Sequence, residues 1–173
     1  MTRVPPPRAS DLQIALHHSK GTVTEFLEHL AGEPVDADVL SQDAGPAGPD
    51  NSLGLEPDAE LIRRSVLLTG RTSGRRFVYA ESTIAMERLP WAARLSLEST
   101  REPIGRVLRR NGLEIRREPL PGSPIPVRAT EGIIDLVDGA ALCRRYRIAL
   151  GSEEAIVVSE WFLQTVPDAL ASL

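Results

Sequence analysis

The sequence predicts an α+β fold: a single antiparallel β-sheet with helices packed around it. Three observations lead there. Two long stretches each read as a pair of strands joined by a turn-rich link, the segments between them carry helical periodicity, and strands do not alternate one by one with helices as a parallel sheet would require. The 173 residues are enough to bury one real core and too few for two full domains, so one domain spanning 1–173 is expected.

Composition narrows the functional classes. Hydrophobic residues make up 42% and charged residues 25%, a globular balance. No apolar run approaches the ~20 residues that cross a bilayer, so no membrane role is expected. The opening "MTRVPPPRAS" has prolines where a secretory signal would have an apolar stretch, and a cytoplasmic location is expected. A net charge of −4 argues against nucleic acid as a partner. The lone cysteine, Cys143, excludes an internal disulfide and reads as an incidental thiol. Lys20 is the only lysine, which leaves arginine as nearly the only cation available to a bound anion.

The elements follow in order. "ASDLQIALHHSK" is a helix with Ser10 as its expected N-cap and Leu12 and Leu16 on one stripe, ending before Gly21. Thr22 or Thr24 caps a second helix, with Phe26, Leu27 and Leu30 on its apolar face and Gly32 just past its end. A strand is expected over Val35 to Leu40. "QDAGPAGPDNSLGLEPDAE" is dense in Gly, Pro, Asp and Asn and reads as a mobile surface loop. "IRRSVLLTG" and "FVYAESTIAM" flank "RTSGR" and form a hairpin; "RTSGR" lacks the Gly-Lys-Ser/Thr ending of a phosphate loop. "ERLPWAARLSLEST" and "EPIGRVLRRNG" are short helices with Pro90 and Pro103 near their starts. "LEIRREPLP" is a strand, "ATEGIIDLVDGAALC" a short helix, and "RRYRIALGSEEAIVVSEWFL" a second hairpin turning at "GSEE".

Alternation along strands exposes an anomaly. In "AIVVSEWFL", Ile156, Val158, Glu160 and Phe162 share a face, so a carboxylate sits among apolar side chains. In "RRSVLLTG", Arg64 shares its face with Val66 and Leu68. Burying either charge alone costs several kcal/mol. The pair is therefore either a buried structural ion pair or the lining of a pocket for a small polar ligand, and alternation alone leaves both open. Arg145 and Arg147 fall on one solvated face, and the group Arg144, Arg145 and Arg147 is expected to be structural or superficial. Ser82 shares a face with Ala80 and Ile84 and reads as a hydrogen-bonded core serine at the edge of a pocket. His17, His18 and His29 have no metal-ligand spacing, and no metal is expected.

"RRSVLLTG", "AESTIAMERLP", "EPIGRVL" and "RRYRIALGSEEAIVVSEWFL" occur in the order and at the separations found in bacterial chorismate pyruvate-lyases, and from Thr22 onward the chain resembles the actinobacterial branch of that family. The resemblance implies an antiparallel sheet with a ligand enclosed beneath two helical flaps. It implies removal of pyruvate from chorismate to leave 4-hydroxybenzoate, with no cofactor. It places the site arginine on Arg64, the acidic residue on Glu160, a flap residue on Val23 of "GTVT" and a backbone contact on Ile104 of "PIGR". Arg64 would orient a carboxylate of chorismate. Glu160 would take the ring proton, bond the ring hydroxyl or donate to the leaving group. A monomer is expected.

Two segments depart from the family pattern, Asp43 to Pro57 and "PGSPIPVRATEGIIDLVDG", and both would border the flaps and alter the substrate. The second reading is accordingly a module that binds an aromatic acid without turning it over, since the fold also resembles effector domains of some transcription regulators; the sequence shows no winged-helix pattern, so a DNA-binding regulator is not expected. A third is a diverged lyase acting on another cyclohexadiene acid.

Overall fold

The computed structural model describes residues 9–19, 21–100 and 102–172; Lys20 and the proline-rich opening lie outside them. Six antiparallel strands form one sheet in the order β1-β2-β3-β6-β5-β4. They are β1 (Val35–Pro46), β2 (Glu60–Gly70), β3 (Arg76–Ala85), β4 (Ile115–Pro119), β5 (Leu142–Leu150) and β6 (Glu153–Phe162). The two expected hairpins, β2/β3 and β5/β6, lie side by side through the β3–β6 pairing. Gly74 and Gly151 supply the positive φ, 67° and 63°, that the two turns require.

One face of this sheet, here the front, carries most of the helices. Helices α1 (Ala9–His18), α2 (Val23–Ala31) and α6 (Thr165–Leu170) cover one half, with Leu12, Leu27, Leu30 and Val166 packed on Val66, Leu68 and Phe162. Helices α3 (Trp91–Ser99) and α4 (Ile104–Arg110) cover the other half, where Leu97, Val107 and Leu108 rest on a cross-strand row of Ile62, Ile84, Ile156 and Ile148. Complete burial of each such isoleucine is worth about 1.5–3 kcal/mol. The two helical groups meet over β2, β3, β6 and β5, and the functional cavity lies at that seam.

On the back, helix α5 (Glu131–Asp138) lays Val137 over Leu67, Tyr79 and Trp161. The chain leading into α5 crosses the sheet and spends its backbone on one buried carboxylate: Val127 N–H and Arg128 N–H donate to Glu81, as does Tyr79 O–H at 2.8 Å.

Several expectations need correcting. Ser10 lies inside α1, one residue after the first described helical position. The first strand does not stop at Leu40 but runs to Pro46, because Ser41 bonds Ser65 at 2.7 Å and Asp43 pairs with Arg128, contacts that hold a polar edge strand through its Gly-Pro end. The rest of the supposed mobile loop is packed. Asn51 braces it by bonding Gly48 O and Leu55 O and accepting from Leu55 N–H, while Leu53 and Leu55 bury themselves against Leu61, Ala85 and Val157. Both departing segments thus belong to the back of the sheet, away from the seam on the front. Helix α6, too short at 6 residues to show a period, was not foreseen.

Candidate active site

The cavity begins with helix caps. Thr22, itself extended, caps α2 reciprocally: Glu25 N–H donates to its hydroxyl at 3.2 Å, and the Glu25 carboxylate accepts from Thr22 N–H at 2.8 Å. The backbone bond from Thr22, with Arg109 adding to it, holds the Glu25 carboxyl below its usual range. Pro103 opens α4 on the other side of the seam without a side-chain cap, its fixed φ leading directly into the helix. The two helix starts touch: a Cβ on Gly105 would stand 3.0 Å from Thr22 Cγ2, so only glycine lets them close this tightly. On the outer side Arg106 bonds Glu28 at 2.6 Å and Arg109 pairs with Glu25, tying α4 to α2. The two helices form a lid.

Beneath it, a cavity of about 60 Å³ is lined by Thr22, Val23, Ile104, Arg64, Tyr146 and Glu160, with Ala37, Val66, Leu68, Ala80, Ser82, Val158 and Ile148 as its mainly apolar floor. Arg117 stands at its β4 side. All four residues singled out from sequence, Arg64, Glu160, Val23 and Ile104, therefore border one space. Ser82 borders it as well, with its hydroxyl on the floor between Arg64 and Val158.

Arg64 and Glu160 do not pair with each other. Register explains why: Arg64 lies opposite Ser82, which lies opposite Val158, whereas Glu160 lies one pleat further along, opposite Ala80. At a strand spacing near 4.8 Å, β2 and β6 are about 10 Å apart, and the lid cavity occupies that interval. Arg64 and Glu160 are thus not a direct ion pair, and both line the cavity between them.

The two charges are held differently. Arg64 is 1% exposed, and its Nη2 donates to Glu102 O at 3.3 Å, in the segment that leads into α4. Its Nε and Nη1 have no hydrogen-bond partner among the described residues. Burial depresses the pKa of this guanidinium, the direction expected of a cation kept from water without an anion. A buried guanidinium with N–H donors left over is a group that a carboxylate can satisfy through charge-assisted hydrogen bonds.

Glu160, in contrast, has a protein donor on each oxygen and keeps lone pairs free. Arg144 Nε donates to one carboxylate oxygen at 2.6 Å and Tyr146 O–H donates to the other at 2.8 Å. Burial works against the charge on Arg144, but the Glu160 and Tyr146 contacts outweigh it and raise its pKa. Burial, then the Glu160 charge, push the Tyr146 hydroxyl far above its ordinary value, so it stays a donor. Arg144 also sits over the rings of Tyr146 and Phe162, at 5.2 and 5.1 Å. Of the two roles expected for Arg144, the structural one stands and the superficial one does not: it is the ion-pair partner that holds Glu160. Alternation contained the signal, since a face with Arg145 and Arg147 pointing outward puts Arg144 and Tyr146 inward, toward Glu160. Arg147 does pair with Glu154, as a strand-surface residue would.

No group of three or more His, Cys, Asp or Glu side chains among the described residues is placed to hold a metal ion. No helix there is long and apolar enough to cross a membrane.

Comparison with known proteins gives a consistent result. Residues 18–170 match the family model described as chorismate pyruvate-lyase Rv2949c-like. The chain is 34% identical over 163 residues to the chorismate pyruvate-lyase of Mycobacterium leprae, covering 90% of this chain and 75% of that protein. Among solved structures it resembles PhnF from Mycobacterium smegmatis, with a TM-score of 0.60 at 14% identity over 86% of this chain and 66% of that one. The effector domain of PhnF alone gives a TM-score of 0.55 at 14% identity, over 84% and 90% of the two chains. At that identity the likeness to PhnF is one of fold.

Proposed function

The chain belongs to the Rv2949c-like chorismate pyruvate-lyase family, and from that premise we propose that it converts chorismate to 4-hydroxybenzoate and pyruvate in the cavity beneath the α2–α4 lid. The observation that carries the reading is Arg64: a buried guanidinium that lines an otherwise apolar, lidded space and has two nitrogens without a hydrogen-bond partner among the described residues. Such a group calls for a small anion with an apolar body, and a ring carboxylate answers that description.

The residues then divide the work. Arg64 holds the ring carboxylate, and Val23 and Ile104 close over the ring, with the start of α4 presenting backbone N–H groups that have no carbonyl one turn back. Glu160 acts as a carboxylate. Both its oxygens accept from the protein, which favours the acceptor roles over donation to the leaving group. It takes the hydrogen from the ring carbon that bears the hydroxyl. That C–H electron pair forms the last ring double bond, and the electron pair of the C–O bond departs with enolpyruvate, which becomes pyruvate on taking up a proton. No net proton, metal or redox equivalent is consumed. Aromatisation supplies the driving force, so positioning and charge are what the protein adds.

A cavity of about 60 Å³ is smaller than the ~150 Å³ that holds a benzene ring. Ring entry therefore displaces the lid, and reclosure excludes water from the reacting carbons. A monomer in the cytoplasm is part of this proposal.

The test is turnover by the purified protein, with both products followed by chromatography. Release of 4-hydroxybenzoate and pyruvate in equal amounts is expected, with a loss of at least about 100-fold in Glu160→Gln and loss of product binding in Arg64→Ala. Absence of turnover by the wild type, with 4-hydroxybenzoate still bound through Arg64, would replace the lyase by a binding module.

A further inference from the structure

Substrate and product differ in charge: chorismate carries two carboxylates and 4-hydroxybenzoate one. The second carboxylate belongs to the enolpyruvyl group, the part that leaves. A single guanidinium at Arg64 accounts for the ring carboxylate and leaves the other without a partner.

Around the cavity the charges sort themselves. Arg144 is committed to Glu160, so that pair cancels. Two positive charges remain at the lining, Arg64 and Arg117. Arg117 is exposed and has no ion pair or hydrogen bond among the described residues, whereas its strand neighbour Arg116 bonds Glu118 at 2.9 Å. Its guanidinium carbon lies 6.0 Å from the centre of the Tyr146 ring. Its positive charge acts on the Tyr146 hydroxyl, the group that bonds Glu160. On its other side Arg117 Nη2 stands 3.9 Å from where a Cβ on Gly105 would be, at the lid. It thus spans the opening between lid and floor on the Glu160 half of the cavity, opposite the buried Arg64. Arg117 also borders the two neighbouring clefts under α1, one with Phe26 and Arg144, the other with His17 and Arg144. The lid cavity and these clefts share this residue.

We infer that Arg117 is the binding site of the enolpyruvyl carboxylate, the specificity residue that distinguishes the dianionic substrate from the monoanionic product. The inference rests on the lyase reading of the same cavity. With the ring carboxylate on Arg64 and the reacting edge at Glu160, the enolpyruvyl arm points to the β4 side, where Arg117 stands. As the C–O bond breaks, negative charge gathers on the departing enolpyruvate, so the same contact strengthens along the reaction. Once the bond is broken, Arg117 holds only the fragment that has separated, in clefts open toward α1. Pyruvate then leaves from there without waiting for the ring.

The experiment measures chorismate and 4-hydroxybenzoate binding by calorimetry, with and without Arg117→Gln, in a Glu160→Gln background so that chorismate is not consumed. Turnover by the single Arg117→Gln variant is measured alongside. One charge-assisted contact near the surface corresponds to about 10–100-fold. Chorismate affinity and kcat/KM are expected to fall by that factor, 4-hydroxybenzoate affinity to change less than about threefold, and Arg117→Lys to recover part of the loss. Equal weakening of both ligands, or no change for chorismate, would overturn the assignment. Because binding is read separately, a wild-type protein that binds chorismate without turning it over would sink the lyase reading while still deciding the role of Arg117.

Discussion

Removing Arg144 isolates the carboxylate on which the site depends. In Arg144→Met the side chain keeps its apolar stem over Phe162, but Glu160, 4% exposed, loses the donor at 2.6 Å and retains only Tyr146 among the described residues. Breaking a fully buried ion pair by removing one partner costs 3–5 kcal/mol. The Arg144 side chain is 29% exposed, so water already screens part of the pair, and about 2–3 kcal/mol is the expected loss. For a chain of this size each kcal/mol shifts the melting temperature by about 2–4 °C, which gives a drop of about 4–12 °C. Urea unfolding should show it as a lower midpoint at unchanged slope. The cycle with Glu160→Gln is the sharper measurement. Glu160→Gln alone leaves Arg144 able to hydrate, so it costs about 1 kcal/mol, and the double variant should be no less stable than Arg144→Met. Additive losses, or an Arg144→Met cost under about 0.5 kcal/mol, would refute the claim that this pair holds the carboxylate in place.

Gly105→Ala should leave stability within about 1 kcal/mol, because the helix gains what the clash loses. Its Cβ presses on Thr22, however, which cannot turn away without giving up its cap on Glu25, so the lid should close poorly and kcat/KM fall several-fold; an unchanged kcat/KM would contradict the lid. The chain has 2 tyrosines, and both Tyr79 and Tyr146 are buried with pKa values raised first by burial and then by bonded carboxylates. Native tyrosinate absorbance should therefore not appear near pH 10, where free tyrosine ionises. Since the folded form keeps the protons, stability should be full below pH 10 and fall as pH rises above it, less steeply in Tyr146→Phe. Leu53→Ala should cost about 2–4 kcal/mol in urea unfolding, whereas a loop free of the core would lose almost nothing.

How far the sequence discloses this molecule depends on the range of the interaction concerned. The hairpins, the capped helices and the facing of Arg64 and Glu160 are local properties, fixed by alternation, by Thr22 and Glu25 three residues apart, and by glycines at positive φ. What lay beyond local reading was register. Whether Arg64 meets Glu160 depends on strand order and alignment: β3 lies between β2 and β6, and Glu160 sits one pleat further along, so a cavity separates the two charges. The run from Asp43 to Pro57 misled for a related reason: its Gly and Pro content signals irregular backbone, and irregular backbone is not necessarily mobile once Asn51 braces it and Leu53 finds a hydrophobic cluster. The arginines before the last hairpin could be sorted by alternation, but only the β5–β6 register, Arg144 opposite Glu160, showed what Arg144 does.

That register also bears on why the two charged residues of the cavity are treated so differently. A fold selected for stability alone would gain by letting Arg64 and Glu160 meet, since each buried charge would then neutralise the other. Instead a second arginine is placed beside Glu160 and Arg64 keeps donors without a partner among the described residues, an arrangement that costs folding energy. The cost has a direction. Pairing Glu160 with Arg144 fixes the carboxylate as an oriented acceptor, and leaving Arg64 unpaired gives the cavity a positive charge that only an anionic ligand neutralises. Ligand affinity and lid closure then draw on the same unsatisfied donors. Glu102, whose carbonyl accepts from Arg64, directly precedes the α4 half of the lid, so satisfying Arg64 with a carboxylate acts on the segment that closes over it.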